Sequence, residues 1–494
     1  MSTARKILSN TIAQFIGKIL VAMLGLAVVK ISTNYLSVEG YGEYVLVYEF
    51  IAFFGIAADL GLFTVGVREM SKDEKNIPKI IGNVLTLRTV LVFASMILAT
   101  ITVFLIPKYT DTKVPIAVLI ASFTTIITIL NGTITSVLQA KLKMELASLT
   151  SVLGKMVSVG FMAYIVFFGF PTDNEIGFYM LILAGVFGNL VMIFSTYFFV
   201  RKITPLEYQF DPKFAKQVLK DSLPYGIALI LSTVYFRIDS LLISFIRGQE
   251  EVGLYGVAMK MLEHFSVLPL YFMNSVLPTL TRTIEEKKDR YKDIIKQSFT
   301  FLSILSAPMV VGAYMLAYPI IFVVADPKFL SKLSEGYYGS DIALQILVFA
   351  LFFQFLNVLF AFILIAVNKQ KKLLYINAAC VLFNIISNII VIPHWGFRGA
   401  AITSVLSELF ILIANYIYAK RYLDFEIQLG KLVKILFSTL IMGVFIYFMQ
   451  PLTYSLMENW NLLILIPLAG IIYGLMLFIT KTIDKDTLKL FKKV

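Results

Sequence analysis

Apolar segments of about 20 residues or more recur along this chain from one end to the other. A helix of about 20 apolar residues crosses a hydrocarbon core of roughly 30 Å. Of the 494 residues, 59% are hydrophobic and only 15% are charged, and the mean hydropathy is +0.84. Such a composition cannot keep the surface of a soluble protein hydrated. The pattern therefore predicts an all-α, polytopic membrane protein with about 14 transmembrane helices.

The predicted spans leave no room for a soluble domain between them. They cover 10–36, 43–67, 80–106, 114–140, 147–169, 176–200, 221–246, 252–280, 298–325, 340–367, 373–392, 398–419, 432–450 and 461–480. The first span follows Arg5 and Lys6, as a signal peptide would, but it is long and contains Lys18. We therefore interpret it as an uncleaved first helix.

The net charge of +12 is explained by topology. Thirty of the 43 Lys and Arg residues fall in alternate connections, six fall in the intervening connections, and seven lie within predicted helices. Positive charge accumulates on the cytoplasmic side of a membrane protein, so both termini are predicted to be cytoplasmic in a plasma membrane protein. No nucleic-acid partner is needed to account for the basic residues.

The sequence also limits the chemistry. Cys380 is the only cysteine, and His264 and His394 are the only histidines, so neither a disulfide within the chain nor a multi-histidine metal centre is expected. The chain lacks a phosphate-binding Gly-rich loop with Lys-Ser/Thr, so no ATPase is expected. We predict a non-enzymatic protein without metal or cofactor.

A weak internal repeat divides the chain. Tyr41-Gly42 is followed by Glu49, and Tyr255-Gly256 is followed by Glu263, with the same spacing and an offset of 214 residues. Transporters are commonly built from duplicated helical bundles. The predicted division is an N-terminal lobe over 1–205, a C-terminal lobe over 206–425, and two further helices with a basic cytoplasmic tail over 426–494.

Five basic residues lie deep in predicted helices. An ionisable group at mid-bilayer costs roughly 2.5–3.5 kcal/mol, so it usually faces a bundle interior or a wet cavity. At about 1.5 Å per residue, three lie at similar depths in the N-terminal half, and two lie nearer the midplane in the C-terminal half. The alternative is that individual lysines extend to the interface. The candidate cationic, substrate-binding residues are Lys18, Arg88, Lys155, Arg237 and Lys260.

Five acids form a second candidate group, for ion coupling or gating: Glu49, Asp59, Asp239, Glu263 and Glu408. Lys260 and Glu263 are three residues apart and share a helix face, so mutual neutralisation is the favoured interpretation of that pair. Arg237 and Asp239 point to different faces, so each needs a partner elsewhere. Asp59 and Asp239 are the preferred coupling candidates, and His264 is interpreted as a hydrogen-bonded structural residue.

Several segments resemble the polysaccharide-export branch of the multidrug/oligosaccharidyl-lipid/polysaccharide exporter superfamily. The resemblance is carried by Asp59-Leu60-Gly61-Leu62 followed by Arg68-Glu69-Met70, by YFRIDSLLISFIRGQEEVGLYGVAMKM over 235–261, and by the stretch from Asn368 through NIISNIIVIPHWGFRGAAITSVLSE to Glu408. The family's substrate residues vary, so the candidate cations are carried over only by residue type and depth.

This resemblance implies two six-helix lobes around a central cavity, with two C-terminal helices offering a groove for a polyprenyl tail. It implies a flippase that moves a lipid-linked oligosaccharide across the cytoplasmic membrane by alternating access. Membrane lipids surround such a protein, an H⁺ or Na⁺ gradient or mass action would drive it, and polysaccharide polymerase or glycosyltransferases are its expected partners.

Other functions stay open on the sequence. One is a cation-coupled drug or metabolite exporter of the same superfamily, and a lipid II flippase is a closer alternative. Another is a membrane glycosyltransferase or polymerase, which the short predicted outer loops disfavour. The longest of these, about 326–339, carries only Asp326 and Glu335 as acids.

Overall fold

The structure, a computed structural model, describes residues 3–172, 174–286 and 289–483. Within these ranges the regular elements are helical, and β pairing is limited to an isolated bridge between Lys332 and Tyr337. The chain forms two compact units, Met1–Gly253 and Leu254–Val494. The predicted all-α, polytopic fold is confirmed.

Helices α1 to α9 belong to the first unit. Their bounds are α1 Thr3–Tyr35, α2 Val38–Asp59, α3 Leu62–Lys72, α4 Ile77–Phe104, α5 Pro107–Thr110, α6 Val114–Ala140, α7 Met144–Tyr164, α8 Glu175–Val200 and α9 Pro212–Ile246.

Helix α10, Gln249–Phe265, runs across the boundary, and the remaining helices belong to the second unit. Their bounds are α11 Val267–Glu285, α12 Arg290–Met315, α13 Ala317–Val324, α14 Ser340–Ala366, α15 Gln370–Tyr422, α16 Leu429–Met457 and α17 Leu462–Ile479.

Most residues of each predicted span are helical in the structure. By length and apolarity, eleven helical segments among the described residues could cross a membrane. Two of them, Gln370–Tyr422 with 53 residues and Leu429–Ile479 with 51, are long enough for two crossings each. The predicted span over 252–280, which α10 and α11 occupy, is not among the eleven.

The second predicted span is broken, which the sequence pattern did not anticipate. Helix α2 ends at Asp59, and both Leu60 (φ 42°) and Gly61 (φ 76°) adopt left-handed conformations before α3 begins. Gly tolerates this region at no steric cost, whereas Leu does not. The break places the last carbonyls of α2 beside the charged residues described below.

Close helix contacts hold the first unit together. A Cβ on Gly154 of α7 would lie 2.7 Å from the Gly188 oxygen of α8, and a Cβ on Gly188 would lie 2.5 Å from the Gly154 oxygen. Small residues let helices approach to backbone contact in a membrane, where apolar burial gives little driving force. These two helices therefore pack at the shortest separation that the backbone allows.

The last two helices are part of the second unit's core. Ile435 and Met442 of α16 pack in one buried cluster with Ile304 of α12 and Leu465 of α17. Tyr473 Oη donates a hydrogen bond to the Ile304 carbonyl oxygen at 2.9 Å. Helices α16 and α17 are thus fixed to α12 by both apolar packing and a buried hydrogen bond.

The charged connection over 281–297 is largely helical in its described residues, since α11 continues to Glu285 and α12 begins at Arg290. Lys287 and Lys288 lie outside the described residues, as does the basic tail over 484–494. The division into lobes at residue 205 stays a prediction, and α9 belongs to the first unit.

Candidate functional site: two arginine–carboxylate pairs and an apolar cavity

Arg88 of α4 lies in the interior of the first unit and is only 3% exposed. Its Nη2 donates to Asp59 Oδ1, and its Nη1 donates to Thr133 Oγ1 of α6 at 3.0 Å. Among the described residues, Arg88 Nε has no hydrogen-bond partner. Since a buried charge is strongly unfavourable unless it is paired, Asp59 is what allows Arg88 to lie there.

The break in the second span helps to position this ion pair. Asp59 is the last residue of α2, so the Arg88 guanidinium lies near the carboxyl-terminal end of that helix. Backbone carbonyls without helical partners concentrate at such an end, and a cation there interacts favourably with the helix dipole. The Asp59 side chain is 21% exposed, so the pair is not wholly sealed.

Arg237 of α9 forms the second ion pair. Its Nη1 donates to Glu49 Oε2 of α2, and the two residues are 188 positions apart in the chain. Arg237 keeps 29% of its side chain exposed, whereas the Glu49 side chain is 7% exposed. The sequence-based expectation that Arg237 finds its partner on another helix is confirmed.

The other predicted cations differ in their surroundings. Lys260 Nζ contacts Glu263 Oε2 at 2.9 Å, as their three-residue spacing predicts. Lys18 is exposed on α1, and Lys155 is half-buried on α7, a helix that packs against α1. A common ring of Lys18, Arg88 and Lys155 stays a prediction.

The remaining predicted acids are deeply buried. Asp239 of α9 is 3% exposed, and Glu408 of α15 is 5% exposed. Near Glu408, Asn384 Nδ2 donates to Ser407 Oγ at 3.3 Å, which joins the two halves of α15 on either side of its bend at Gly396. Their roles in coupling or gating stay predictions.

His264 is hydrogen-bonded, as predicted. Its Nδ1 lies 2.5 Å from the backbone oxygen of Lys260, one helical turn earlier. This contact within one helix turn is what a structural histidine makes.

Sequence reasoning missed two features of the first unit. Glu43 of α2 is only 7% exposed, and it is not among the acids that the sequence analysis selects. Thr133 is fully buried on α6 and contacts Arg88, but a threonine in an apolar helix carries no sequence signal for such a role.

The second unit contains an apolar cavity of about 440 Å³. It lies between α10, α12, α13, α14, α16 and α17, and its lining consists wholly of apolar residues, including Met261, Pro308, Gly312, Leu351, Met442 and Gly470. Its chemistry suits a hydrocarbon chain, since none of these side chains carries a hydrogen-bonding polar group.

A second apolar groove lies on the other side of α12. It has a volume of about 590 Å³ and is lined by residues of α12, α14 and α16, among them Tyr314, Phe352, Gly443 and Tyr447. Helices α12 and α16 therefore face apolar space on two sides.

Among the described residues, no group of three or more His, Cys, Asp or Glu side chains is arranged to hold a metal ion. The ion pairs of the first unit and the apolar cavity of the second unit are therefore the candidate functional features.

Solved structures share this fold. Over 95% of this chain and 98% of that chain, the structure is similar to the lipid II flippase MurJ in an inward closed conformation, with a TM-score of 0.74 and 18% sequence identity. It is also similar to an inward-facing multidrug resistance MATE family transporter of the MOP superfamily, with a TM-score of 0.62 and 16% identity over 83% of this chain and 97% of that one.

A third similar structure is a MOP superfamily transporter from Pyrococcus furiosus, whose binding pocket is described as having reversed polarity. Its TM-score is 0.60 at 17% identity, over 84% of this chain and 95% of that chain. The structure thus shares the fold of these proteins, and its eleven apolar helical segments among the described residues make it a multi-pass membrane protein. The solved proteins are a flippase and transporters rather than enzymes, in agreement with the predicted non-enzymatic class.

Two family models match the sequence. The polysaccharide biosynthesis protein family matches residues 7–284, and the MatE family matches residues 224–390. Since the first match covers more than half of the chain, the protein belongs to the polysaccharide biosynthesis protein family, as the motifs predicted.

A curated relative is the uncharacterized membrane protein MJ1068 of Methanocaldococcus jannaschii. It is 24% identical over 294 residues, which are 58% of this chain and 54% of the relative. The match thus spans about half the length of that relative.

Proposed function

We propose that this protein is a flippase that translocates polyprenyl-(di)phosphate-linked oligosaccharides across the cytoplasmic membrane by alternating access, for surface polysaccharide synthesis. The observation that carries the proposal is the apolar cavity of the second unit, about 440 Å³, in a member of the polysaccharide biosynthesis protein family. A polyprenyl chain needs an apolar lining, whereas a binding site for a soluble drug does not need to be lined by apolar side chains alone.

The anionic head group needs a cation, and Arg237 is the favoured one. It keeps 29% of its side chain exposed while it is paired with Glu49. Guanidinium groups bind phosphate oxygens through two parallel hydrogen bonds, so a diphosphate competes well with a single carboxylate. Arg88, at 3% exposure, is favoured as a structural cation with one donor, Nε, still available.

Ion coupling belongs to the same proposal. Asp239 and Glu408 are deeply buried acids, and their protonation or Na⁺ binding would change the net charge of the helix interior. Replacing Asp239 by Asn should make transport insensitive to an imposed H⁺ or Na⁺ gradient. If Asp239→Asn vesicles still respond to both gradients as the parent does, Asp239 is not the coupling residue.

The test of transport uses purified protein in proteoliposomes that contain a fluorescent polyprenyl diphosphate oligosaccharide, with dithionite quenching as the readout. Arg237→Gln should slow translocation at least tenfold, which corresponds to about 1.4 kcal/mol. Arg282→Gln is the matched control, because Arg282 also pairs with a glutamate, Glu286, but its side chain is 79% exposed.

Two other cargos make the test discriminating. Faster translocation of lipid II than of the oligosaccharide lipid would favour a lipid II flippase. Translocation of a soluble cationic drug, with neither lipid translocated, would establish a drug exporter. If no lipid-linked glycan moves, or if Arg237→Gln matches the parent, the flippase proposal or its cationic site fails.

A further inference from the structure

The connection between α8 and α9 ends in a short non-helical segment, residues 207–211, that lies against α4 within the first unit. The Gln209 amide donates to the Gly82 carbonyl oxygen at 3.4 Å, and the Gln209 carbonyl accepts from Thr86 Oγ1 at 2.8 Å. A Cβ on Gly82 would lie 2.5 Å from the Glu207 oxygen. The segment therefore lies in direct backbone contact with the helix.

The carboxyl end of this segment is fixed as well. The Asp211 amide donates to Asn83 Oδ1 at 2.6 Å, and Asp211 Oδ2 lies 3.1 Å from Lys79 Nζ. Asp211 Oδ1 also accepts from the Lys213 amide at 3.0 Å, in the first turn of α9. The segment is thus held at several points, and side chains that point away from α4 have a defined place.

Two aromatic side chains do point away from α4. Tyr208 and Phe210 are 63% and 62% exposed, whereas Gln209 between them is only partly exposed and bonds to α4. Rings held outwards on a fixed segment present apolar surface that gains free energy from burial elsewhere. The question is which surroundings these two rings meet.

The length of α4 gives the depth of the segment. Helix α4 has 28 residues, about 42 Å, which matches the roughly 40–45 Å of a bilayer with its headgroup regions. For an upright helix, each headgroup region takes up about three to five residues. Gly82 is the sixth residue of α4. Tyr208 and Phe210 therefore lie near the boundary between headgroups and acyl chains, where aromatic residues are enriched.

The first turns of α9 carry three lysines on one face. Lys213, Lys216 and Lys220 are exposed, and their spacing of three and four residues places them in one stripe along the helix. On the opposite face, Ala215 and Val218 are buried. We name these three lysines the lysine stripe.

The same face of α9 changes from basic to apolar beyond the stripe. Leu223 and Ile227 continue it at the same helical spacing, and their side chains are 52% and 41% exposed. Lys220 lies only about 4.5 Å along the helix before Leu223, and the apolar span of α9 begins at Tyr225. The lysine stripe thus lies at the membrane surface, at the level of lipid phosphates.

The charges around the stripe do not neutralise it. Asp211 is paired with Lys79, and Asp221 lies 3.3 Å from Arg68. Within the ranges that the structure describes, no lysine of the stripe forms an ion pair. Over 201–220, five basic residues and two acids leave a net charge of +3. An anionic surface is the complement of this region.

We propose that residues 207–211 and the lysine stripe form a binding site for anionic phospholipid headgroups, on the side of the membrane predicted to be cytoplasmic. The stripe binds the phosphates, and the rings of Tyr208 and Phe210 pack at the base of the headgroups. A zwitterionic headgroup carries no net charge and gains less from the lysines. This site is separate from the proposed cargo path, and its test requires no translocation.

The test uses tryptophan fluorescence in phosphatidylcholine liposomes. Trp395 and Trp460 are the only tryptophans, so replacing both by Phe gives a background without tryptophan, and Phe210→Trp places a reporter in the segment. The quenchers are phospholipids with a nitroxide at the headgroup end of an acyl chain. Labelled phosphatidylglycerol should bind at the reporter about tenfold more tightly than labelled phosphatidylcholine.

Charge variants connect this preference to the stripe. Lys216→Gln with Lys220→Gln should remove most of the preference, whereas Lys216→Arg with Lys220→Arg should keep it. The matched control is Lys72→Gln with Lys292→Gln, which removes the same charge from lysines that already pair with a carboxylate and should leave the preference unchanged. Salt at about 1 M should weaken the preference, because it screens exposed charges beyond roughly 3 Å.

Three results overturn the inference: equal quenching by the two labelled lipids, quenching by neither, or a glutamine double variant that keeps the parent's preference. Unlabelled polyprenyl diphosphate tests the other source of phosphate. If it displaces labelled phosphatidylglycerol where an equal amount of unlabelled phosphatidylglycerol does not, the site belongs to the path of the cargo and the inference fails. Equal or weaker displacement supports a phospholipid site.

Discussion

The two units differ in what they place in the interior of the membrane. The first unit places charge there and neutralises it through ion pairs that join α2 to α4 and to α9. The second unit encloses apolar space of about 440 Å³ between six helices. The first unit therefore offers paired charged groups, and the second offers apolar space.

The largest effect on the first unit is expected when one partner of the buried Arg88–Asp59 pair is removed. Arg88→Ala leaves Asp59 without its counter-ion, and such a loss typically costs about 3–5 kcal/mol. We expect a large fall in thermal stability in detergent. Lys18→Ala, which alters an exposed side chain, should have almost no effect.

A double replacement separates the loss of the ion pair from the cost of an unpaired buried charge. Arg88→Leu together with Asp59→Leu removes both charges, so it should be clearly less destabilising than Arg88→Ala alone. If the double variant is the less stable of the two, the pair contributes more than mutual neutralisation.

The second pair separates stability from transport. Arg237→Glu places an acid against Glu49 and should cost about 2–3 kcal/mol, within the range of coupling between residues in contact. Adding Glu49→Arg restores an ion pair of reversed polarity. This swap should recover most of the stability but not translocation, since the exposed member would then be an acid. Recovery of both would mean that the pair is only structural.

The apolar side of the comparison can be tested by filling the cavity. Gly470→Leu on α17 places a side chain in the cavity, and no atom lies within 4 Å of a Cβ there. Each buried CH₂ of a bound chain contributes about 0.8 kcal/mol, so losing a few contacts should weaken prenyl-chain binding about tenfold. Competition between long-chain and short-chain polyprenyl phosphates would measure this.

The control for this variant is one helical turn away. Gly474 is equally open, but it does not line the cavity. Gly474→Leu should bind the long chain as the parent does, while both variants keep or slightly raise helix stability. Equal losses in both variants would place the tail elsewhere.

The smallest expected effect lies outside the membrane-spanning helices, in the segment before α9. Asp211 accepts hydrogen bonds from Lys79 and from the Phe214 and Lys213 amides, and these contacts hold its pKa below the ordinary value. A lowered pKa in the folded state stabilises the fold above the unfolded pKa, and this stabilisation is lost as the pH falls through the folded value. Asp211→Ala should lower the melting temperature slightly at pH 7.

The same variant checks the sign of this effect. Below the native pKa of Asp211 the parent has already lost the contribution, so the melting temperatures of parent and variant should converge there. A difference that persists or grows in acid would assign the effect to the helix cap rather than to the charge.

Hydropathy alone predicts where the helices lie, because each span must be apolar over its whole length to cross the bilayer. The three-residue spacing of Lys260 and Glu263 predicts their contact, which lies within one helix turn. Neither pattern predicts that Arg237 meets Glu49, since the periodicity of one helix carries no information on a partner 188 residues away.

The sequence also does not predict the break in the second span or the cavity, and the reasons are different. Gly61 could be read as a packing residue as easily as a helix break, and a leucine such as Leu60 gives no sign of a left-handed conformation. The cavity exists partly because Gly312 and Gly470 contribute no side chain to its walls. A glycine, which has no side chain, gives no sign in the hydropathy pattern that a cavity lies beside it.

The hydrogen bond from Tyr473 to Ile304 has a consequence for a shortened chain. A chain that stopped after α15 would leave the face of α12 that carries Ile304 and Ala307 open to lipid, with a carbonyl lacking its donor. Removing α16 and α17 would therefore expose an apolar helix face together with an unpaired backbone oxygen, and this protein should not tolerate the removal.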